Sequence, residues 1–289
     1  MWMGFDTWVM DNEAVIRLGM FAGVFLLMAA WELMAPCRQL TLSKSQRWLN
    51  NLALVVLNTL LLRLLFPTAA IGVAAFAAEQ GWGLFNYSTW PLWLAALLSI
   101  VCMDLVIYLQ HVMVHAVPLL WRLHRVHHAD LDYDVTTGAR FHPLEIILSL
   151  LIKFAIILLL GPPLIAVVIF EVVLNAMAMF NHGNVSLPAV LDRPLRLLLV
   201  TPDMHRVHHS IEDDETNSNF GFNLSCWDRL FGTYRDQPRK GHQGMVIGIR
   251  SFREASRCAT LPGMLAIPFT GGVQGYVINR RQWDNRSEE

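Results

Sequence analysis

Long stretches with almost no charge limit this chain to a small set of folds. The run from about Val15 to Met34 is nearly all apolar and about 20 residues long, enough to cross a bilayer core as a helix. A second run spans about Leu52 to Ala78, and a third spans Pro91 to about His115. The fourth, Leu144 to Met179, is too long for one crossing. Gly161, Pro162 and Pro163 interrupt it near the middle, because proline cannot continue a helix and glycine suits its end. The pattern predicts a helical hairpin whose arms enter or cross the membrane. Lys153, inside the first arm, either snorkels or faces a cavity. With 54% hydrophobic and 16% charged residues, the chain is too apolar for an ordinary soluble domain. The expected fold is an all-α integral membrane protein with a bundle of about four to five membrane helices. The N-terminal membrane helices occupy 1–100, and a soluble C-terminal tail follows from 237 to 289.

Charge narrows the choice further. The net charge of −1 gives no reason to expect a nucleic-acid partner. Cys37, Cys102, Cys226 and Cys258 are scattered without a CxxC pair, so neither a disulfide framework nor a zinc–thiolate site is expected. The acidic N-terminus lacks the basic region of a cleaved signal peptide. Arg38, Lys44 and Arg47 lie between the first two runs, whereas the loop at Glu79–Trp90 has no Lys or Arg. Arg122, Arg125 and Arg140 follow the third run; Arg193, Arg196 and Arg206 follow the hairpin. The positive-inside rule puts these basic segments on the cytoplasmic face. Arg125 and Arg206 are expected to be solvated, or to help dock an acidic electron donor. Residues 187–200, short, apolar and basic, suit a helix lying in the interface. TGGVQG at Thr270–Gly275 lacks the strand–turn–helix setting of a dinucleotide loop and is read as a turn, so no flavin or nicotinamide site is expected.

The histidines are the chemical signal. There are 11, none before His111, and ten fall between His111 and His209. HVMVH places His111 and His115 one helical turn apart, where both rings can meet one metal. HRVHH occurs twice, at His124–His128 and His205–His209, with the adjacent pair of each copy aimed in different directions. Three such boxes on one membrane face predict a metal centre. Eight imidazoles exceed the four ligands of one tetrahedral zinc, so two metals fit better. Imidazole suits iron, zinc, copper and nickel. Asp104, Tyr108, His111 and His115 follow one helix face, and an acid in an apolar run is costly without a role. Asp104 and Tyr108 are therefore expected to orient ligand rings, with Asp203 and Asp228 as weaker candidates.

These boxes resemble the fatty-acid hydroxylase/sterol desaturase superfamily of integral membrane non-haem di-iron enzymes. The match comprises HxxxH (His111, His115), HxxHH (His124, His127, His128), the isolated histidine of FNHGN (His182), and a second HxxHH (His205, His208, His209). RFHPLE (Arg140–Glu145) and NFGFNLSCWDRLFGTY (Asn219–Tyr234) are also similar. The resemblance covers roughly Asp104 to Tyr234 and makes 101–236 the catalytic region. It implies membrane helices capped by a cytosolic histidine-rich helical domain. It also implies two iron ions, with zinc as a substitute, and O2-dependent oxidation of a C–H bond in a membrane lipid. The product is an alcohol or an alkene, and the lipid a fatty acyl, sterol, carotenoid or ether lipid. The eight boxed histidines carry over as ligands, with His182 as a ninth. Some members have a second histidine four residues after the isolated one. Ser186 stands there, which leaves His142 either as a tenth ligand or as part of the Pro143 turn. His242 lies outside the pattern. No catalytic group beyond the metal centre is expected.

Electrons must come from an external donor, a ferredoxin or cytochrome with its reductase. The substrate is expected to enter from the membrane, and Phe170–Phe180 either line its tunnel or pack in the core. Two other readings use the same histidines. A metal-dependent hydrolase would need a poised base, and none stands out. A metal transporter or store would spread its ligands through the membrane depth. The compact length points to a bacterial inner membrane.

Overall fold

The computed structural model describes residues 2–66, 68–273 and 278. Among these residues the architecture is all-α, with only isolated β-bridges. Helix α1 covers Trp2–Met34, α2 Lys44–Leu65, α3 Ala70–Glu79 and α4 Leu92–Ala116. Helix α5 covers Pro118–His128, α6 Pro143–Leu160 and α7 Leu164–Asn181. Five segments are long and apolar enough to cross a membrane: Thr7–Met34, Lys44–Glu79, Leu92–Ala116, Pro143–Leu160 and Leu164–Asn181. The protein is thus a bundle of membrane helices, as the apolar runs predict.

Local chemistry sets the element ends. Ser43 caps α2, and Pro118 and Pro143 take first-turn positions where no donor is lost. Gly161 ends α6 at φ 60, in the left-handed region, and so makes the expected hairpin turn. Gly83 packs against that turn, and a Cβ there would lie 2.2 Å from the Gly161 nitrogen. The Glu79–Trp90 loop therefore shares the hairpin's end of the bundle, opposite the histidines.

Two expectations need correction. The second apolar run is two helices, with α2 ending at Leu65 and α3 beginning at Ala70. Helix α2 also starts eight residues before the apolar run, because its first turns leave the membrane bundle and enter the cap. There Arg47 is fully buried, bonding Asp130 through Nη2 at 2.7 Å and Nε at 3.0 Å, and pairing with Asp134. Arg140 closes the network, with Nε donating to the Val126 carbonyl at 2.8 Å. Burial pushes the Asp130 carboxyl up, but Arg47 and Arg140 outweigh it and hold the group at about 2. Arg125 and Arg206 are likewise buried, not solvated or free for docking. Arg125 donates to the carbonyls of Ile267 and Gly272 at 2.7 and 2.6 Å. Arg206 pairs with Asp203 at 2.6 Å and donates to the Val185 carbonyl at 2.5 Å. Much of the basic charge that suggests orientation is structural glue in the cap.

Helix α8 (Ala189–Leu195) exposes Val190 and Leu191, and Leu197 and Leu198 beyond it are also exposed, the apolar surface an interfacial helix needs. Helix α9 (Pro202–His208) is N-capped by Thr201 and carries the second pentapeptide. The segment 249–267 returns to the cap: Ile249, Phe252, Met264 and Ile267 share one core with Leu54, Trp121 and Val126. Within TGGVQG, Thr270–Val273 are non-helical, and Gln274 and Gly275 lie outside the described residues.

Candidate metal centre

Nine histidines converge from four helices into two buried groups. His111, His115, His124, His128 and His208 form one; His127, His182, His205 and His209 form the other. Within each group, one ring nitrogen per residue lies within 4.8 Å of all the others. Helical geometry explains the division. In the first pentapeptide the i, i+4 pair, His124 and His128, faces the five-histidine group, while His127 turns to the other. The second pentapeptide reverses this: His205 and His209 join the four-histidine group and His208 crosses over. Neither copy supplies a whole group.

Outer contacts set the tautomers. The Nδ1–H of His111 donates to the Phe220 carbonyl at 2.8 Å, that of His208 to the Ser218 carbonyl at 2.7 Å, and that of His182 to the Ala178 carbonyl at 2.7 Å. His124 Nδ1–H donates to Glu145 Oε1 at 2.6 Å, and His115 Nδ1 meets Asn217 Oδ1 at 3.3 Å. The Nε2 lone pairs of these rings are left facing inward. Those of His111, His124 and His208 have no protein partner. In the second group, Nε2 of His127, His205 and His209 stands 3.1, 3.1 and 3.2 Å from Nε2 of His182. One lone pair on His182 cannot serve three neighbours. A metal bound at about 2.0–2.1 Å by each nitrogen would space adjacent ligands about 3.0–3.4 Å apart, so these nitrogens fit one cation. Burial pushes His127, His128, His205, His208 and His209 well below the usual imidazole range and His182 down to about 3, so all are neutral, as ligation requires. Gly138 leaves space for this packing, since a Cβ there would lie 2.4 Å from the Ala178 oxygen and 3.0 Å from His182 Nδ1.

The remaining candidates sit elsewhere. His142 caps α6, its Nδ1 accepting from the Leu144 N–H at 3.2 Å, and belongs to neither group. Asp104 does not bond a histidine; it accepts from Trp227 Nε1 at 2.8 Å and from the Leu224 N–H at 3.3 Å. Asp203 holds Arg206 and accepts from Ser186 at 3.0 Å. Tyr108 meets the Thr233 hydroxyl, which donates to Asp228 at 2.7 Å. Asp228 also accepts from the Phe220 N–H at 2.7 Å, so it braces the residue whose carbonyl orients His111. Burial raises its carboxyl to about 6.

Glu145 is the carboxylate that touches a ring directly, and the sequence reading did not single it out as one. As an acid in the first turn of an apolar arm, it reads as a helix-dipole partner. We expect Glu145→Gln to weaken metal retention or activity about 10- to 100-fold, the usual effect of losing such a partner. Metal remaining after dialysis against a graded chelator measures this, and unchanged retention would refute the role.

A cavity of about 320 Å³ opens among α1, α2, α4, α6 and α7. Glu145, Phe141 and Ala178 line its histidine end; Phe141 stacks on His127 with ring centroids 4.5 Å apart. Of Phe170–Phe180, Glu171, Leu174, Asn175, Ala178 and Met179 line it, whereas Phe170 is buried in the core. Lys153 faces this cavity and pairs with Glu171 at 2.7 Å.

Fold and site together define a helical membrane protein with a paired histidine centre beside an intramembrane cavity. Residues 96–233 match the model of the fatty acid hydroxylase family. The chain is 32% identical over 174 residues to an ornithine lipid hydroxylase of Rhizobium tropici, covering 60% of this chain and 51% of the relative. It is 29% identical over 181 residues to the alkylglycerol monooxygenase of Homo sapiens, covering 60% of this chain and 38% of the relative. The chain thus spans about half or less of the curated relatives it matches. No solved structure matches it.

Proposed function

We propose that the chain is an O2-dependent di-iron monooxygenase that hydroxylates a C–H bond in a membrane lipid. The observation that carries this reading is the set of inward lone pairs in two adjoining groups, next to a cavity inside the membrane bundle. The five- and four-histidine groups would each hold one iron, with zinc able to substitute. Bound iron supplies O2 reduction and C–H oxidation: the substrate C–H becomes C–OH, and two electrons and two protons take the second oxygen to water.

The chain's own residues position and exclude. Outer carbonyls hold His111, His182 and His208, and Glu145 holds His124, in the ligating tautomer. Phe141 and Ala178 separate the cavity from the rings, and the helices admit lipid laterally while keeping bulk water away. The activities of the relatives, a hydroxylase and a monooxygenase, favour hydroxylation over desaturation. Electrons would come from an outside donor, a ferredoxin or cytochrome with its reductase. The basic residues that are not buried, Arg38, Lys44, Arg122 and Arg193, support a cytoplasmic centre, and the Rhizobium relative supports a bacterial inner membrane.

The test supplies the purified protein with ferrous iron, a reductant, membrane lipids and isotope-labelled O2. The expected lipid product is heavier by one labelled oxygen atom. A product lighter by two hydrogens would replace hydroxylation with desaturation; oxygen drawn from water, or hydrolysed lipid, would overturn the oxygenase reading.

A further inference from the structure

The cavity has an uneven supply of hydrogen-bonding groups. At its histidine end stand three buried acceptors without partners: Asn58 Oδ1, Gln110 Oε1 and Glu145 Oε2. The Asn58 amide is oriented by its own Nδ2–H, which donates to the Phe141 carbonyl at 2.9 Å. Glu145 places one oxygen on His124 and leaves the other unpaired. Gln110 immediately precedes His111 on α4. Unpaired buried acceptors are destabilising, and hydrocarbon offers no donor to relieve them. The cations of the cavity are placed elsewhere. Lys153 lies eight residues after Glu145 on α6, about 12 Å along the axis. Both Lys153 and Arg17 are paired to Glu171, at 2.7 and 3.1 Å. No Lys or Arg side chain lines the histidine end of the cavity, whereas a hydrogen-bond donor would find three acceptors there.

We propose that Asn58, Gln110 and Glu145 select a lipid carrying hydrogen-bond donors, a hydroxyl, an amide N–H or an ammonium, close to the carbon that is oxidised. This rests on the lipid-oxidation reading above and deepens it. The donors fix the head group at the histidine end, so oxidation falls near the head, and the alkyl chain extends between α6 and α7 toward the Lys153–Glu171 pair. The same pairing discriminates, because a lipid with blocked donors leaves the acceptors buried and unmet.

The test is competition binding to the full chain in nanodiscs, using dodecanoyl ethanolamide and its N,O-dimethyl derivative. The wild-type protein is expected to prefer the donor-bearing lipid about 5- to 100-fold. Gln110→Met keeps side-chain length and removes the acceptor; it should bring the ratio towards one without lowering thermal stability. Asn58→Leu should act in the same direction. A wild-type ratio near one, or a ratio unchanged in both variants, overturns the proposal. Iron-loaded turnover separates the two readings. Equal oxidation of both lipids refutes donor selection and leaves the oxygenase standing. A binding preference without oxidation of any lipid supports the recognition site and refutes the oxygenase.

Discussion

Arg47→Met is expected to abolish accumulation of folded protein, or to lower its thermal stability more than any single cavity-lining substitution. Arg47 is fully buried and bridges Asp130 and Asp134, while Asp130 also neighbours Arg140. Removing the cation strands carboxylates in the interior, and breaking a buried pair this way typically costs about 3–5 kcal/mol. That is a large share of the roughly 5–15 kcal/mol that keeps a domain folded. The damage reaches the histidines, because Asp130 lies two residues past His128 and Asp134 organises the turn through Thr136 and Thr137. Thermal unfolding in detergent, together with yield after size exclusion, measures the effect. Adding Asp130→Asn and Asp134→Asn to Arg47→Met should recover part of the loss, since the buried charges go together. An Arg47→Met protein as stable as the wild type would refute the account.

Arg47 also shows where the sequence stops being informative. Its charge is plain, and its place between two apolar runs makes it look like an orientation signal. Its partners lie 83 and 87 residues away, and no local pattern connects them. Asp130, Asp132 and Asp134 alternate along the segment after the first pentapeptide, a regularity that a polar loop has no need of. Each in fact binds the segment between α1 and α2 or α2 itself, with Asp132 accepting from the Thr41 and Leu42 N–H groups at 2.9 Å. The helices were legible because 20-residue apolar runs have few alternatives in a membrane. The grouping of the histidines was legible because 3.6 residues per turn dictates which rings share a face. Their outer partners were not. Asp104, on the same face of α4 as His111, satisfies Trp227 instead, and three of the ring partners are backbone carbonyls, which any residue type supplies. Spacing reports direction along one helix; it does not report which distant segment arrives there.

The division of each pentapeptide makes the sharpest test of the centre. If each group holds one metal, His128→Ala with His208→Ala removes two members of the five-histidine group, though these residues are 80 positions apart in sequence. The bound metal should fall from about two per chain to about one. His208→Ala with His209→Ala removes neighbours that belong to different groups. That pair should empty both sites or leave each only weakly occupied. Activity should fall more than about 100-fold in both double variants, because loss of an outer partner alone typically costs about 10- to 100-fold. Element analysis of protein purified with ferrous iron reads the stoichiometry, and circular dichroism checks that the helices persist. The reversed pattern, with one metal lost from the His208→Ala, His209→Ala variant and both sites affected in the His128→Ala, His208→Ala variant, would mean that sequence adjacency, not helix face, sets the partition. The two-group arrangement would then be wrong, and with it the assignment of His127 and His208 as the residues that cross between the metals.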